Sequence, residues 1–211
     1  MIKQDITSFL IQEKDILDGH LIGDASVFTT GTDCKRNAVM VHTSKYREYL
    51  EWIVANTQTF STCNINENDV LDERTGKYYH RCTIKTYSHP LLTERRCQWY
   101  PEGKKIVPEN IELTPAMTLR WFMDDGSWHR QGLYLCTNAY SLESNEILAV
   151  KLAKVIDGVV KIHKHSKDSY RLFIPKGRAI ASVASLGSNR LKFLDYVGEC
   201  PVSCFKHKWG E

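Results

Sequence analysis

The sequence predicts an α+β fold that is built twice within one chain. Three observations lead to this prediction. The hydrophobic pattern switches repeatedly between helical and alternating spacing, the order of predicted elements recurs in the second half, and an acidic residue and a lysine recur at one fixed separation. The chain has 211 residues, which suits one large unit or two halves of about 100 residues each. The pattern places an N-terminal half at 1–100, a linker at 101–112 and a C-terminal half at 113–211.

In the first half, residues 7–23 have the spacing of an amphipathic helix. Two alternating segments, 26–30 and 38–42, flank a turn and predict a hairpin. Ser44 is the predicted N-cap of a helix over 45–56. The remaining predicted elements of this half are strands at 59–65 and 78–87, separated by a polar stretch at 64–77, and a helix at 91–100.

The second half repeats this order. Thr114 followed by Pro115 predicts a helix start, with the threonine as N-cap and the proline at the first helical position. This helix ends near Asp124 and Asp125. The elements predicted after it are strands at 128–130 and 133–138, a helix at 142–156, strands at 159–165 and 170–175, and further helix between 178 and 197.

Composition excludes several classes of protein. A hydrophobic content of 42% and a charged content of 25% are ordinary for a globular chain and exclude general disorder. The net charge of +3 excludes a polybasic protein but permits a locally basic surface. No stretch approaches the ~20 apolar residues of a membrane span, and the N-terminus lacks a signal-peptide core. Seven scattered cysteines without a secretion signal predict reduced thiols inside a cell or an organelle. A prokaryotic cytoplasm, a mitochondrion and a chloroplast all stay open as the compartment.

Two acidic residues occupy matching places at the ends of the first helix of each half. Asp125 lies 101 residues after Asp24, and each is followed by a small residue, a serine and a predicted strand. A carboxylate at a helix C-terminus faces the negative end of the helix dipole, and two such groups repel unless a cation lies between them. The sequence therefore predicts a metal site where the halves meet, the alternative being two ordinary turn residues. Lys105 and Lys206 repeat at the same separation.

Two segments carry a resemblance to a known family. Leu21–Ser26 (Leu-Ile-Gly-Asp-Ala-Ser) and Trp121–Ser127 (Trp-Phe-Met-Asp-Asp-Gly-Ser) resemble the paired signature helices of the LAGLIDADG homing endonucleases, in the monomeric form with two motifs. The segments 103–108 and 204–206 support the resemblance. It implies two pseudo-symmetric αββαββα halves, with paired central helices and antiparallel sheets that form a saddle over DNA.

The resemblance also implies an activity and a set of site residues. The activity is site-specific hydrolysis of one phosphodiester bond per strand, across the minor groove of a long double-stranded DNA target, by a monomer that needs Mg²⁺ or another divalent cation such as Mn²⁺. The implied catalytic residues are Asp24, Asp125, Lys105 and Lys206. The implied metal ligands are the carboxylates of Asp24 and Asp125 and the backbone carbonyls of Gly23 and Asp124.

Strand parity gives candidate DNA contacts without reference to the family. Several predicted strands have one apolar face and one face rich in hydrogen-bond donors, as a sheet that lies in a major groove requires. An ordinary half-solvated sheet alternates in the same way. The candidate DNA-binding residues are Arg36, His42, Arg81, Thr83, Lys85, Trp128, Arg130, Tyr134, Asn138, Lys161, His163, His165 and Arg171. Loops at 30–36, 64–77 and 166–169 are expected to add phosphate contacts.

Three alternatives stay open at this point. An RNA-splicing maturase on the same scaffold would bind its own intron RNA, and a DNA-binding regulator would bind DNA without cutting it. The joint presence of Asp24 and Asp125 favours cleavage. Cys200, Cys204 and His207 are three potential zinc ligands, but their spacing matches no standard zinc motif and no fourth ligand is nearby in the sequence.

Overall fold

The computed structural model describes residues 2–29, 37–177 and 189–210, with the backbone alone for residues 2–11. The chain divides into two compact units, Met1–Gly103 and Lys104–Glu211. Each unit contains its own four-stranded antiparallel sheet. Within the described ranges, no helix is both long enough and apolar enough to cross a membrane.

The first unit places helices on one face of its sheet, whose strand order is β1-β2-β4-β3. Its elements are α1 (Ile2–Ile22), β1 (Ser26–Phe28), β2 (Val39–Ser44), α2 (Arg47–Asn56), β3 (Ile65–Asp72), β4 (Lys77–Lys85) and α3 (Pro90–Trp99). Met40 and Ile84 point to the buried face of the sheet, and Leu50 and Ile53 of α2 are fully buried as well. Apolar residues of the strands and of α2 therefore form the core of this unit.

The second unit has the corresponding order β5-β6-β8-β7. Its elements are α4 (Pro115–Asp125), β5 (Gly126–His129), β6 (Gly132–Cys136), α5 (Leu142–Val155), β7 (Lys161–Ser166), β8 (Ser169–Pro175), α6 (Asn189–Val197), a 3₁₀ turn (Ser203–Phe205) and α7 (Lys206–Trp209). Leu133, Leu135, Leu172 and Ile174 are fully buried on one face of the sheet. The αββαββα order thus occurs twice, which confirms the predicted fold class.

The start of α4 shows why the sequence predicts this helix well. The Oγ1 of Thr114 accepts a hydrogen bond from the backbone N–H of Met117 at 3.3 Å, and Pro115 takes the first helical position. The threonine thereby satisfies one of the backbone donors that a helix leaves unpaired at its N-terminus. Proline costs nothing there because its missing N–H has no intrahelical partner in any case.

Four local predictions are wrong. Residues 58–60 form a 3₁₀ turn rather than the strand predicted at 59–65, because the backbone N–H groups of Gln58 and Thr59 donate to Glu13 of α1. The polar stretch at 64–77 is mostly strand β3 rather than a loop.

The other two corrections concern a helix cap and a cysteine. The N-cap of α2 is Tyr46 rather than Ser44, and the Oγ of Ser44 accepts a hydrogen bond from the N–H of Tyr46 at 3.1 Å. Cys97 is disulfide-bonded, which corrects the expectation of reduced thiols at that position.

Candidate functional site

The two acidic residues occupy matching places in their own units. Asp24 follows the end of α1 at Ile22 and precedes β1, and Asp125 is the last residue of α4 and directly precedes β5. Asp24 is exposed and Asp125 is half-buried. In both units, therefore, a carboxylate stands between the first helix and the first strand. That the two carboxylates meet around a metal stays a prediction.

Gly126 fixes the sharp passage from α4 into β5. A Cβ atom built on Gly126 would overlap the ring and the carbonyl oxygen of Phe122, so a larger residue does not fit there without displacing them. The N–H of Gly126 donates to the carbonyl of Phe122. The glycine of the second motif is thus required by close packing beside Asp125.

A buried lysine holds the last turn of α4. The ammonium of Lys208 in α7 donates to the carbonyl oxygens of Met123 and, at 3.0 Å, Asp124. Lys208 is 8% exposed. A cation at a helix C-terminus satisfies carbonyls that lack intrahelical partners and interacts favourably with the negative end of the helix dipole. Lys208 therefore positions the backbone that directly precedes Asp125.

This arrangement bears on two sequence predictions. The Asp124 carbonyl, predicted as a metal ligand, already accepts a hydrogen bond from Lys208, so a metal ion would compete with a buried ammonium for this oxygen. Lys206, the lysine singled out by its spacing, is exposed on α7. Lys105 lies in the segment before α4, with its Nζ 5.8 Å from the ring centroid of Tyr140. The catalytic roles of both lysines stay predictions.

The sheet of the first unit has a polar face on the side opposite its core. Arg81, Thr83 and Lys85 of β4 alternate with the buried Cys82 and Ile84, as predicted. Arg81 and Lys85 are exposed. The register places Asn68 opposite Arg81 and Asn66 opposite Thr83, so two amides of β3 share this face. We name this surface, formed by Asn66, Asn68, Arg81, Thr83 and Lys85, the first polar face.

The corresponding face of the second unit is built from aromatic rings and imidazoles. The ring of Phe173 stacks on His163 with centroids 4.7 Å apart and contacts Tyr134 at the same separation. The Tyr134 hydroxyl lies 3.2 Å from Nδ1 of His163. His129 contacts the Tyr134 ring at 5.5 Å. These four residues form the centre of what we name the second polar face.

Charged and amide groups extend the second polar face. The Nε of Arg171 donates to Oδ1 of Asn138 at 3.3 Å, and its guanidinium also contacts the ring of His165. Lys161 and Arg130 are exposed, on β7 and in the turn after β5 respectively. The structure thus brings most predicted DNA contacts of this unit onto one face of its sheet.

Two predicted DNA contacts lie on the wrong side of their sheets, and a third cannot be placed. His42 is fully buried, with its ring against His20 and Tyr49, because its position in β2 alternates toward the core. Trp128 shares the face of the buried Leu133, and the guanidinium of Arg190 in α6 lies 3.9 Å from its ring centroid. Arg36 and the loop at 30–36 lie outside the described residues.

Four residues of the polar faces are not among those that the sequence predicts. Asn66 and Asn68 lie in the stretch predicted as a loop, and only the pairing of β3 with β4 places them on the first polar face. His129 follows the same parity as Ser127 in β5. The sequence does not indicate Phe173 as part of a polar face, because apolar residues are expected on the buried face. Phe173 is 7% exposed and lies beside Tyr134 and His163.

Comparison with known proteins places the chain in a family. A model described as the LAGLIDADG DNA endonuclease family matches residues 14–179. The cytochrome b mRNA maturase bI2 of Debaryomyces hansenii is 26% identical over 170 residues, which make up 77% of this chain and 65% of the maturase. The chain therefore spans just under two thirds of the length of that relative.

Two further proteins are similar over most of their length. The DNA endonuclease I-ChuI of Chlamydomonas applanata is 24% identical over 216 residues, covering 93% of this chain and 94% of that enzyme. The structure of the homing endonuclease I-WcaI bound to its DNA recognition sequence superimposes with a TM-score of 0.73 at 21% identity, covering 93% of this chain and 85% of that chain. At this identity, the structural match shows a shared fold.

Proposed function

Because the chain belongs to the LAGLIDADG DNA endonuclease family, we propose that it is a site-specific endonuclease that hydrolyses one phosphodiester bond in each strand of double-stranded DNA. One observation carries the proposal: each unit ends its first helix beside an aspartate and presents a polar sheet face. The aspartate supplies a carboxylate that can bind the divalent cation proposed for hydrolysis, and the sheet face supplies groups that bind DNA.

The polar faces have the chemistry needed to bind a duplex. Guanidinium and ammonium groups of Arg81, Lys85, Lys161 and Arg171 attract phosphates, and this attraction depends on salt concentration. The two asparagines of β3 and the histidines of the second face offer donors and acceptors for base edges in the major groove. We therefore expect the first polar face and the second polar face to contact different parts of one long target.

Asp24 and Asp125 are the proposed ligands of a divalent cation, Mg²⁺ or Mn²⁺. Their carboxylate oxygens are hard donors of the type these ions prefer, and neither side chain is buried. When bound, such a cation stabilises the charge that develops at the phosphate during hydrolysis. Lys105 and Lys206 are proposed to orient the scissile phosphate, and Lys208 to hold the backbone before Asp125 in place.

A selection from a randomised duplex library tests this proposal. The protein is incubated with the library and Mg²⁺, and both cut ends and bound but intact duplexes are sequenced. We expect cut ends that define one long target and a cut position on each strand. Bound duplexes that stay intact would indicate a DNA-binding regulator and would contradict the nuclease proposal, as would the recovery of neither product.

The similarity to a splicing maturase supports a second candidate function, assistance in RNA splicing. Such a function requires that the protein binds intron RNA, but it does not require that Asp24 and Asp125 support phosphodiester hydrolysis. A variant with both Asp24→Asn and Asp125→Asn would therefore keep any splicing activity on the transcript that surrounds its reading frame. Loss of splicing in this variant, with RNA binding unchanged, would contradict a separate maturase function.

A further inference from the structure

The β3–β4 hairpin of the first unit has a cluster of four side chains of metal-binding types, and the proposed nuclease function uses none of them. The register places Glu67 directly opposite Cys82, and Asp69 directly opposite His80. Side chains at alternate positions of paired strands share a face, so all four point to the side of the sheet opposite the first polar face. Cys82 is fully buried there, whereas the side chain of His80 is 50% exposed.

The ligand atoms of Glu67, His80 and Cys82 are close enough to share one ion. The Nε2 of His80 lies 3.3 Å from Oε2 of Glu67 and 3.4 Å from Sγ of Cys82, and one ligand atom from each residue lies within 4.8 Å of the others. In tetrahedral zinc sites, with Zn–S of about 2.3 Å and Zn–N and Zn–O of about 2.0–2.1 Å, neighbouring ligand atoms are about 3.3–3.6 Å apart. The two distances from Nε2 have this value.

Two neighbouring groups set the orientation of the ligands. The Oδ1 of Asp69 lies 3.3 Å from Nδ1 of His80, the arrangement in which a carboxylate accepts the second ring N–H of a metal-binding histidine. Because Nδ1 contacts Asp69, Nε2 faces Glu67 and Cys82. The guanidinium of Arg47 in α2 binds Oε1 of Glu67 and so leaves Oε2 toward His80.

We propose that Glu67, His80 and Cys82 form a zinc site, with Asp69 as the residue that orients His80. A thiolate, an imidazole and a carboxylate are a ligand set typical of Zn²⁺, whereas Mg²⁺ prefers oxygen alone. Three protein ligands leave the fourth position to a water molecule. The bound ion links the middle of β3 to the middle of β4, directly behind Arg81 and Thr83 of the first polar face.

The second unit lacks this chemistry at the comparable hairpin. On the same face of β7 and β8, the directly opposed pairs are Ile162 with Leu172 and Lys164 with Tyr170. Neither pair offers the thiol, imidazole and carboxylate that the first unit has on the corresponding face. Without a metal, Glu67, Asp69, His80 and Cys82 would form an ordinary polar cluster on this hairpin, and this is the alternative that an experiment has to exclude.

Cobalt substitution tests the site because a thiolate ligand gives Co²⁺ a sulfur-to-metal charge-transfer absorption that carboxylates alone do not give. The full-length chain is stripped of metal with a chelator and titrated with Co²⁺ in the presence of excess Mg²⁺. We expect a charge-transfer band that saturates at one ion per chain and disappears when Zn²⁺ is added. A wild-type chain without this band would overturn the proposal.

Matched variants assign the band to its ligands. Cys82→Ser removes the sulfur with little change in volume and should abolish the band, whereas Cys204→Ser, which removes a different thiol outside any disulfide, should keep it. Asp69→Asn should keep the band and weaken binding about 10–100-fold. A band that survives in Cys82→Ser, or is lost in Cys204→Ser, would place the metal elsewhere and overturn the proposal. Circular dichroism of each variant establishes that the fold is retained.

Discussion

The two units hold the helix that ends beside their aspartate in different ways. In the first unit, Asp18 of α1 accepts hydrogen bonds from Arg95 at 2.7 Å and from the indole of Trp99 at 2.8 Å, both in α3. In the second, the ring of Phe122 in α4 packs against Phe193 and Trp209, with centroid distances of 5.0 and 4.7 Å. The two units therefore have the same order of elements, but the first helix is held by an ion pair and a hydrogen bond in one unit and by aromatic packing in the other.

The difference has consequences for stability. Burial raises the pKa of Asp18, and the neighbouring Arg95 opposes this shift. Because the folded state binds the proton of Asp18 more tightly than the unfolded state, stability falls as the pH rises through the ordinary pKa of an aspartate toward the raised value, and is constant above it. The aromatic attachment of the second unit has no titrating group among these three rings and gives no such dependence.

Arg95→Met should have the largest effect on stability. It leaves Asp18 buried without its cation, which costs about 3–5 kcal/mol of the free energy of unfolding at neutral pH. The loss should shrink on acidification, because the pKa of Asp18 rises further in the variant and the protonated carboxyl needs no cation. Urea unfolding at two pH values measures both effects. Arg96→Met, on the same helix, is the control, and an equal loss in both variants would show that the ion pair is unimportant.

Lys208→Met should have the next largest effect and acts in the second unit. The change removes a buried ammonium that bonds two carbonyls of α4, at a cost of about 1.5–3 kcal/mol. Lys206→Met, two residues earlier on the same short helix and exposed, should change the free energy of unfolding by less than about 0.5 kcal/mol. Equal stabilities of the two variants would contradict the role assigned to Lys208.

Tyr134→Phe tests whether the second polar face binds DNA as a preformed surface. The variant keeps the ring contacts but removes the hydroxyl that lies against His163, and we expect DNA binding to weaken by about 0.5–1.5 kcal/mol. Titration of a labelled target duplex measures this change. If the affinity is unchanged while Lys161→Met weakens it, the preformed hydrogen bond has no part in binding.

Lys85→Met and Lys161→Met should have the smallest effects, one in each polar face. Each removes one phosphate contact, so the slope of log Kd against log salt concentration should fall by about 0.9 in either variant. Binding measured at four or more salt concentrations gives this slope. An unchanged slope in one variant would show that the polar face of that unit does not contact the DNA backbone.

Local signals in the sequence were sufficient for most of the fold. The threonine–proline start of α4 and the alternation in β4 and β6 depend on neighbouring residues alone, and the structure confirms them. Strand β3 was missed because it is an edge strand whose residues from Asn66 to Asp69 are all exposed. Such a strand shows no hydrophobic alternation, and only its pairing with β4 makes it a strand.

The candidate site was less accessible to sequence reasoning. Spacing singled out Lys206, yet the lysine that bonds the end of α4 is Lys208, because the contact depends on how α7 packs and not on the repeat separation. The prediction for His42 is wrong because Val39, Met40 and Val41 are apolar on both faces of β2 and hide the parity of the strand. The cluster of Glu67, His80 and Cys82 depends on the register of β3 against β4, which no motif encodes.

The most direct test of the nuclease account compares Asp24→Asn and Asp125→Asn with the wild-type chain on the target duplex in Mg²⁺. Either change should lower the rate of double-strand cleavage at least about 100-fold, since each removes a proposed metal ligand, while the Kd for DNA should change little. Glu109→Gln, an exposed carboxylate outside the site, serves as the control. Cleavage at the wild-type rate in either aspartate variant would contradict the account.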